Sequence, residues 1–376
     1  MSAGIVLLLA AGALMALANG ANDISKGIAT LVGSGGASYP WAIRWGAFST
    51  ALGGLAGAGL SGAMLATFGE GLLEPGTAPS LSAALATILG AAAWVLFATR
   101  TGLPVSTTHA ILGAIAGAGL AAYGPHAVRW GPMGARIALP LLLSPLVSLA
   151  LTIGLSRAWR VVAGRSSGAT DCLCATVEPA REIVAAGGMA AVVSVRTQER
   201  LRVTAGPSGA CSDGGRVAIR LTLDHLHWVT SGLASFARGL NDAPKMVALV
   251  LAAGALSAAG APSGPLVFIA VTAGMVGGGL FAGRRVTRVL AEKITPMDHR
   301  EGFTANLVTS ALVTAGALGG LPMSTTHVSS AAIAGLGLER GGKSIRWETV
   351  RQMALAWLVT LPAAALLGAL GVWILP

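Results

Sequence analysis

Uncharged apolar stretches of about 18 residues or more recur from one end of the chain to the other, and no other feature constrains its fold so tightly. Hydrocarbon is about 30 Å thick and a helix rises about 1.5 Å per residue, so each stretch is long enough to cross a bilayer. Backbone amides find no water there. A spanning segment must therefore be a helix or a strand of a closed barrel, and these runs lack the apolar–polar alternation of barrel strands. The expected fold is an all-α integral membrane protein. Composition agrees, because 54% hydrophobic against 11% charged residues leaves too little polar surface to solvate a soluble domain.

The expected spans are 3–33, 41–68, 81–99, 103–122 and 137–156 in a first half, then 228–257, 264–283, 302–319, 322–338 and 352–375 in a second. The first has no basic region before it and no clean small-residue cleavage site ahead of Gly20, so it reads as a retained helix rather than a signal peptide. Between the halves the composition shifts: Arg157, Arg160, Arg165, Arg181, Arg196, Arg200, Arg202, Arg216 and Arg220 appear among scattered acids. The domains expected are thus a transmembrane repeat over 1–156, a soluble insert over 157–225 and a second repeat over 226–376. In the insert, β-prone runs at 190–195 and 201–205 flank Thr197, Gln198 and Glu199, and 217–223 alternates apolar with polar, which predicts a small β-rich module.

A net charge of +10 raises the question of nucleic acid, but the basic residues are scattered with no aromatic-interleaved patch, so no nucleic-acid partner is expected. In a membrane protein the excess marks cytoplasmic loops. With the insert in the cytoplasm, Arg44, Arg100, Arg284, Arg285, Arg288, Lys293, Arg340, Lys343 and Arg346 fall inside, and Glu70 and Glu74 outside; Arg129 and Arg136 depart from the rule. The three cysteines, Cys172, Cys174 and Cys211, all lie in the insert; an odd number gives no disulfide framework and suits a reducing compartment. With His225 or His227 they could frame a metal site, but Cys-x-Cys is a weak zinc spacing and solvated or core cysteines fit better.

The chain repeats itself. Gly20, Asn22, Asp23 and Lys26 recur as Gly239, Asn241, Asp242 and Lys245 at an offset of 219. Leu103-Pro-Val-Ser-Thr-Thr-His109 recurs as Leu321-Pro-Met-Ser-Thr-Thr-His327 at an offset of 218, and both continue into Ala-Gly-x-Gly-Leu. Two motif pairs agreeing in spacing to within one residue imply a duplicated unit of about five crossings; an odd number sets the second copy upside down, the inverted-repeat plan of secondary transporters with broken or re-entrant helices.

Ionised groups in an apolar span cost roughly 2.5–3.5 kcal/mol each, and such groups normally serve transport. Asp23 and Asp242 offer carboxylate oxygen, and Asn22 and Asn241 amide oxygen, to a small cation or a proton; Gly20 and Gly239 would let a helix break there. The competing structural reading is an i, i+3 salt bridge from each Asp to Lys26 or Lys245. In Pro-x-Ser-Thr-Thr-His the proline ends one segment and the hydroxyls open a helix, whose free N–H groups and dipole suit a tetrahedral oxyanion. Two copies, Ser106, Thr107 and Thr108 with Ser324, Thr325 and Thr326, could surround one anion; alternatively they only cap two helices. His109 and His327 are candidate proton carriers or plain interhelical hydrogen-bonding groups. No nucleotide-binding G-x-x-x-x-G-K-[ST] loop occurs, and no cofactor is expected.

Gly-Ala-Asn-Asp at 20–23 together with the doubled Pro-x-Ser-Thr-Thr-His resembles the PiT family of inorganic phosphate transporters, over both halves but not the insert. The resemblance implies import of inorganic phosphate by cation symport with alternating access at the repeat interface, in a multi-pass plasma-membrane protein. It assigns Asn22, Asn241, Ser106, Thr107, Thr108, Ser324, Thr325 and Thr326 to phosphate, and Asp23, Asp242, Lys26 and Lys245 to cation coupling. The partners expected are phosphate, a proton or sodium ion, lipid, and a second copy in a homodimer. Lys26 and Lys245 stand where sodium-coupled members commonly carry Asn; a fixed ammonium there favours proton coupling. The second copy reads Arg238-Gly-Leu-Asn-Asp-Ala-Pro, so its half-site differs, and Pro244 is expected to bend its helix where Ser25 does not. A sulfate permease of the same fold is the nearest alternative. A membrane phosphoester enzyme is more remote, since no nucleophile, base and orienting acid come together.

Overall fold

A computed structural model describes residues 3–69, 72–74, 80–165, 172–186, 192–206, 216–256 and 262–375. Two compact units divide the chain, one made of 1–156 with 227–376 and the other of 157–226. The first unit is helical. In it α1 (Ala3–Asp23) and α2 (Ser25–Gly33) form one 31-residue span interrupted at Ile24. α3 (Tyr39–Leu60) and α4 (Gly62–Gly69) meet at a 79° bend. α5 (Leu81–Thr101), α6 (Thr107–Tyr123) and α7 (Trp130–Pro132) follow, the last running through a π turn at Met133–Ala138 into α8 (Leu139–Arg165). The later half gives α9 (Leu223–Leu256), α10 (Gly264–Ala282), α11 (Arg284–Glu292), α12 (His299–Leu318), α13 (Thr325–Glu339) and α14 (Trp347–Ile374).

Local chemistry sets the helix ends that matter. Ser80 caps α5 by accepting the Ala83 N–H, and Asp298 with Glu301 closes a capping box on α12. α5 stops at Gly102, with φ of 79°, and α12 at Gly319, which is followed by Gly320 with φ of 68°. A side chain is disfavoured in that left-handed backbone, so the chain turns there into Leu-Pro-x-Ser.

Among the described residues, five helices are long and apolar enough to span, or six if the bent α3–α4 pair is one span, against the ten crossings expected. The shortfall has three causes, one of them that α12, though 20 residues long, is not apolar enough to qualify. α6 and α13 hold 17 and 15 residues, about 26 and 23 Å, short of the hydrocarbon thickness. α9 is long enough at 34 residues but carries Arg238, Asp242 and Lys245 in its middle.

Exposure is inverted relative to a soluble protein. Leu142, Leu146, Leu358 and Leu366 stand exposed, while Asp23, Lys26, Arg238, Asp242 and Lys245 are buried. The expectation that glycine breaks α1 and α9 is corrected. A Cβ on Gly20 would lie 1.9 Å from the Met275 carbonyl oxygen, and one on Gly239 2.4 Å from that of Thr50; both glycines are close-contact points between helices inside unbroken helix. The interruption falls at Ile24 in the first copy, while α9 runs on through Pro244, the reverse of the expected asymmetry.

In the second unit, β1 (Cys172–Ala186), β2 (Val192–Gly206) and β3 (Arg216–Thr222) form an antiparallel sheet in the order β2-β1-β3. β2 runs straight through Thr197 to Glu199, where the sequence suggested two shorter runs, and β1 went unread because Pro179 and mixed polarity hide its alternation. Cys172 and Cys174 are buried and disulfide-bonded, which corrects the expectation of reduced thiols; Cys211 lies outside the described residues.

Candidate functional site

All five buried charged side chains named above belong to the two Asn-Asp motifs or lie one turn before them. In the first copy Lys26 Nζ donates to the Asn22 carbonyl oxygen at 2.7 Å, to Asn22 Oδ1 at 2.9 Å and to Asp23 Oδ1 at 2.7 Å. In the second, Lys245 Nζ donates to Asp242 Oδ1 at 3.1 Å, to Thr108 Oγ1 at 2.8 Å and to the Met323 carbonyl oxygen at 3.1 Å. Each ammonium thus sits among three oxygens. The i, i+3 ion pairs are present in both copies.

Asn22 and Asn241 clamp backbone. Asn22 Nδ2 donates to the Leu103 carbonyl at 3.0 Å and its Oδ1 accepts the Val105 N–H at 3.2 Å. Asn241 Nδ2 donates to the Met323 carbonyl at 3.0 Å and its Oδ1 accepts the Met323 N–H at 3.4 Å. Val105 and Met323 are equivalent under the 218-residue offset, so each asparagine holds the Leu-Pro-x-Ser tip of its own half against its own aspartate.

The tips open helices as predicted. Ser106 and Ser324 are the caps of α6 and α13, accepting the N–H groups of His109 and His327 at 3.3 and 3.2 Å. Thr107 donates to Asp23 Oδ2 at 3.0 Å and Thr326 to the Val105 carbonyl at 2.7 Å, which ties one half's tip to the other. Thr325 is buried and makes no side-chain hydrogen bond among the described residues. The His109 and His327 rings lie 4.8 Å apart; His327 also packs on Trp357 at 4.0 Å, whose Nε1 donates to the Pro104 carbonyl. The structure therefore brings all twelve predicted site residues into one buried cluster at two adjoining helix N-termini.

Sequence reasoning missed four members. Asn19 Nδ2 lies 2.9 Å from Asp23 Oδ2, 3.0 Å from Thr107 Oγ1 and 3.2 Å from Asp242 Oδ2, so one amide group serves both aspartates. Arg238 donates through Nη1 to Asn19 Oδ1 at 3.2 Å and through Nη2 to Thr50 Oγ1 at 2.8 Å. Thr99 accepts from Asn22 Nδ2 at 3.1 Å. A signal existed: extending the Gly-x-Asn-Asp register back one residue sets Asn19 opposite Arg238 at the same offset of 219.

Chemically, the cluster holds three basic side chains against two carboxyl groups, a formal excess of one positive charge, with the N–H groups of two first helical turns beside it. Excess positive charge and free N–H donors of this kind are what an oxyanion requires of its surroundings. Thr99 also lines a cavity of about 800 Å³ whose wall carries Arg100, Arg284, Arg285 and Arg288.

Residues 19–368 match the model of the phosphate transporter family. The chain is 30% identical over 406 residues to a protein of Pyrococcus abyssi (strain GE5 / Orsay) named "Putative phosphate permease", covering 97% of this chain and 96% of that one. It is 28% identical over 360 residues to the "Probable low-affinity inorganic phosphate transporter" of Mycobacterium leprae (strain TN), covering 95% and 74%. A solved structure titled "The sodium-dependent phosphate transporter" superposes with a TM-score of 0.79 at 20% identity over 99% of both chains, which shows a shared fold.

Proposed function

The chain belongs to the phosphate transporter family, and from that premise we propose that it imports inorganic phosphate across the plasma membrane by symport with a proton. The observation that carries the reading is the formal excess of one basic over acidic side chains, buried at two adjoining helix N-termini. A monovalent dihydrogen phosphate neutralises it, the four oxygens meet hydroxyl and backbone donors, and its P–OH groups find carboxylate acceptors in Asp23 and Asp242. Sulfate has no proton to give those carboxylates, which favours phosphate over the sulfate reading.

In this reading Ser106, Thr107, Thr108, Ser324, Thr325 and Thr326 receive the anion, Asn22 and Asn241 fix the tips that carry them, and Asp23 and Asp242 take part in coupling. Lys26 and Lys245 each fill a pocket of carboxylate, carbonyl and amide or hydroxyl oxygen, the ligand set a sodium ion would take, and so favour protons over sodium. Residues 1–156 and 226–376 act as inverted repeats that rock about the site. Counting the paired α5–α6 and α12–α13 helices as re-entrant hairpins removes two crossings per half and leaves the odd number that inversion needs. The excess of basic residues in the loops favours the insert in the cytoplasm, against which its disulfide-bonded Cys172 and Cys174 stand, and on that orientation the arginine-lined cavity beside Thr99 is the inner mouth. The sodium-dependent name of the structural neighbour supports a second reading, sodium symport.

The test is radiolabelled phosphate uptake into proteoliposomes under an imposed pH gradient without sodium, with a parallel tenfold excess of sulfate. Uptake that needs no sodium and resists sulfate is expected. Uptake only with a sodium gradient selects the second reading, and uptake abolished by sulfate sinks the phosphate assignment.

A further inference from the structure

Resting on the reading of the chain as a phosphate carrier, we propose that Arg238 supplies the counter-charge of the transported anion, binding it through the part of its guanidinium that no protein group occupies. Of the three buried cations, Lys26 is paired with Asp23 at 2.7 Å and Lys245 with Asp242 at 3.1 Å. Arg238 is 0% exposed and forms no ion pair among the described residues; its bonds go to an amide oxygen and a hydroxyl, and Nε has no partner. Asp242 and Asp23 attract the guanidinium across Asn19 without contacting it, and each is already paired with a lysine, so the third cation is compensated only in part, which is costly for a buried charge. No titration removes it, since guanidinium stays protonated in proteins. The missing negative charge therefore comes from a mobile ion.

Where that ion sits follows from the partners. Asn19, which receives Arg238 Nη1, also touches Asp23, Asp242 and Thr107, so the guanidinium borders the centre of the cluster. Nη1 and Nη2 use one proton each on Asn19 and Thr50, which holds the plane fixed and leaves Nε–H with the remaining Nη protons for an oxyanion. Arg238 has no counterpart cation in the first half, where the same position is Asn19, so the substrate's charge is met from one half alone.

The experiment uses the full chain in detergent, measuring thermal unfolding and calorimetric binding of inorganic phosphate for wild type, Arg238→Gln and Arg238→Lys. Phosphate is expected to raise the wild-type melting temperature. Arg238→Gln should bind phosphate at least tenfold more weakly yet melt no lower than phosphate-free wild type, because it removes an unpaired charge. Arg238→Lys, which keeps the charge without the fork, should fall between. Phosphate binding by Arg238→Gln within twofold of wild type overturns the proposal. So does a clear loss of its phosphate-free stability, of which failure to fold is the extreme, because the guanidinium then serves to hold α1, α3 and α9 together. If wild type responds to sulfate and not phosphate, the functional reading fails, and Arg238 is judged by the same variants with sulfate. If neither anion shifts wild type, Arg238 has no mobile counter-ion and the inference falls.

Discussion

Replacing Lys26 by alanine should leave an oxygen-lined hole that sodium can fill. The Lys26 ammonium holds Asp23 Oδ1 and both oxygens of Asn22 within 2.9 Å. Removing one partner of a buried ion pair costs about 3–5 kcal/mol, because the other charge stays behind uncompensated. Asp23 keeps the Asn19 amide and the Thr107 hydroxyl, so the lower end, about 3 kcal/mol, applies. At roughly 2–4 °C per kcal/mol for a large domain, the variant should melt about 6–12 °C below wild type in a sodium-free buffer. Sodium at a hundred times its dissociation constant returns about 2.7 kcal/mol, nearly the whole deficit. Scanning fluorimetry of wild type and Lys26→Ala in sodium chloride and in choline chloride of equal ionic strength reads this directly. The expected result is a sodium-specific recovery in the variant and none in wild type. Equal melting of the variant in both salts would refute the idea that the ammonium occupies a cation position, and would return Lys26 to a purely structural ion pair.

Three further outcomes are expected. Gly20→Ala drives a Cβ to within 1.9 Å of the Met275 carbonyl oxygen, with backbone on both sides and no rotamer to relieve it, so size-exclusion chromatography in detergent should show loss of monodisperse protein and uptake should vanish. Changing Arg284, Arg285 and Arg288 together to glutamine weakens the field at the cavity beside Thr99; phosphate flux in proteoliposomes should fall several-fold at low ionic strength, and the two proteins should converge at about 1 M salt, where screening reaches about 3 Å. Replacing residues 165–220 by a short flexible linker should leave the uptake rate unchanged, since among the described residues the buried Asp, Lys and Arg side chains lie in the other compact unit; a changed rate would assign the insert a gating role.

Much of this arrangement is legible in the sequence because its causes are local. Serine after Pro-x accepts the N–H three residues on, and at Ser106 and Ser324 it does so in both copies. An aspartate three residues before a lysine pairs with it on a helix, as at Asp23 and Asp242. What could not be read depends on neighbours distant in sequence. Gly20 looks like a hinge until α10 is laid against it. Asn22 and Asn241 look like ligands, while their amides grip the tip backbone about 82 residues further along. Crossing number is hard to read for a related reason: α6 and α13 are apolar but short, and their starts at Ser106 and Ser324 fall at the buried polar cluster.

The duplication also explains why the site is unequal. Asn19 and Arg238 occupy one position of the sequence repeat and hydrogen-bond to each other at 3.2 Å, so the two copies of that position meet. Were both arginine, two guanidinium groups would stand roughly 4 Å apart, a repulsion of about 4 kcal/mol at the effective dielectric of a partly polar interior. Were both asparagine, the buried charge would be two cations against two carboxylates, with no attraction for an anion. One arginine facing one asparagine is the arrangement that leaves a single net positive charge, and Asn19 accepts from the guanidinium while donating to both aspartates. On the proposed reading of two related halves around one anion, the asymmetry of charge follows from the duplication: where the two copies of a position meet, only one half can carry the cation that the anion needs.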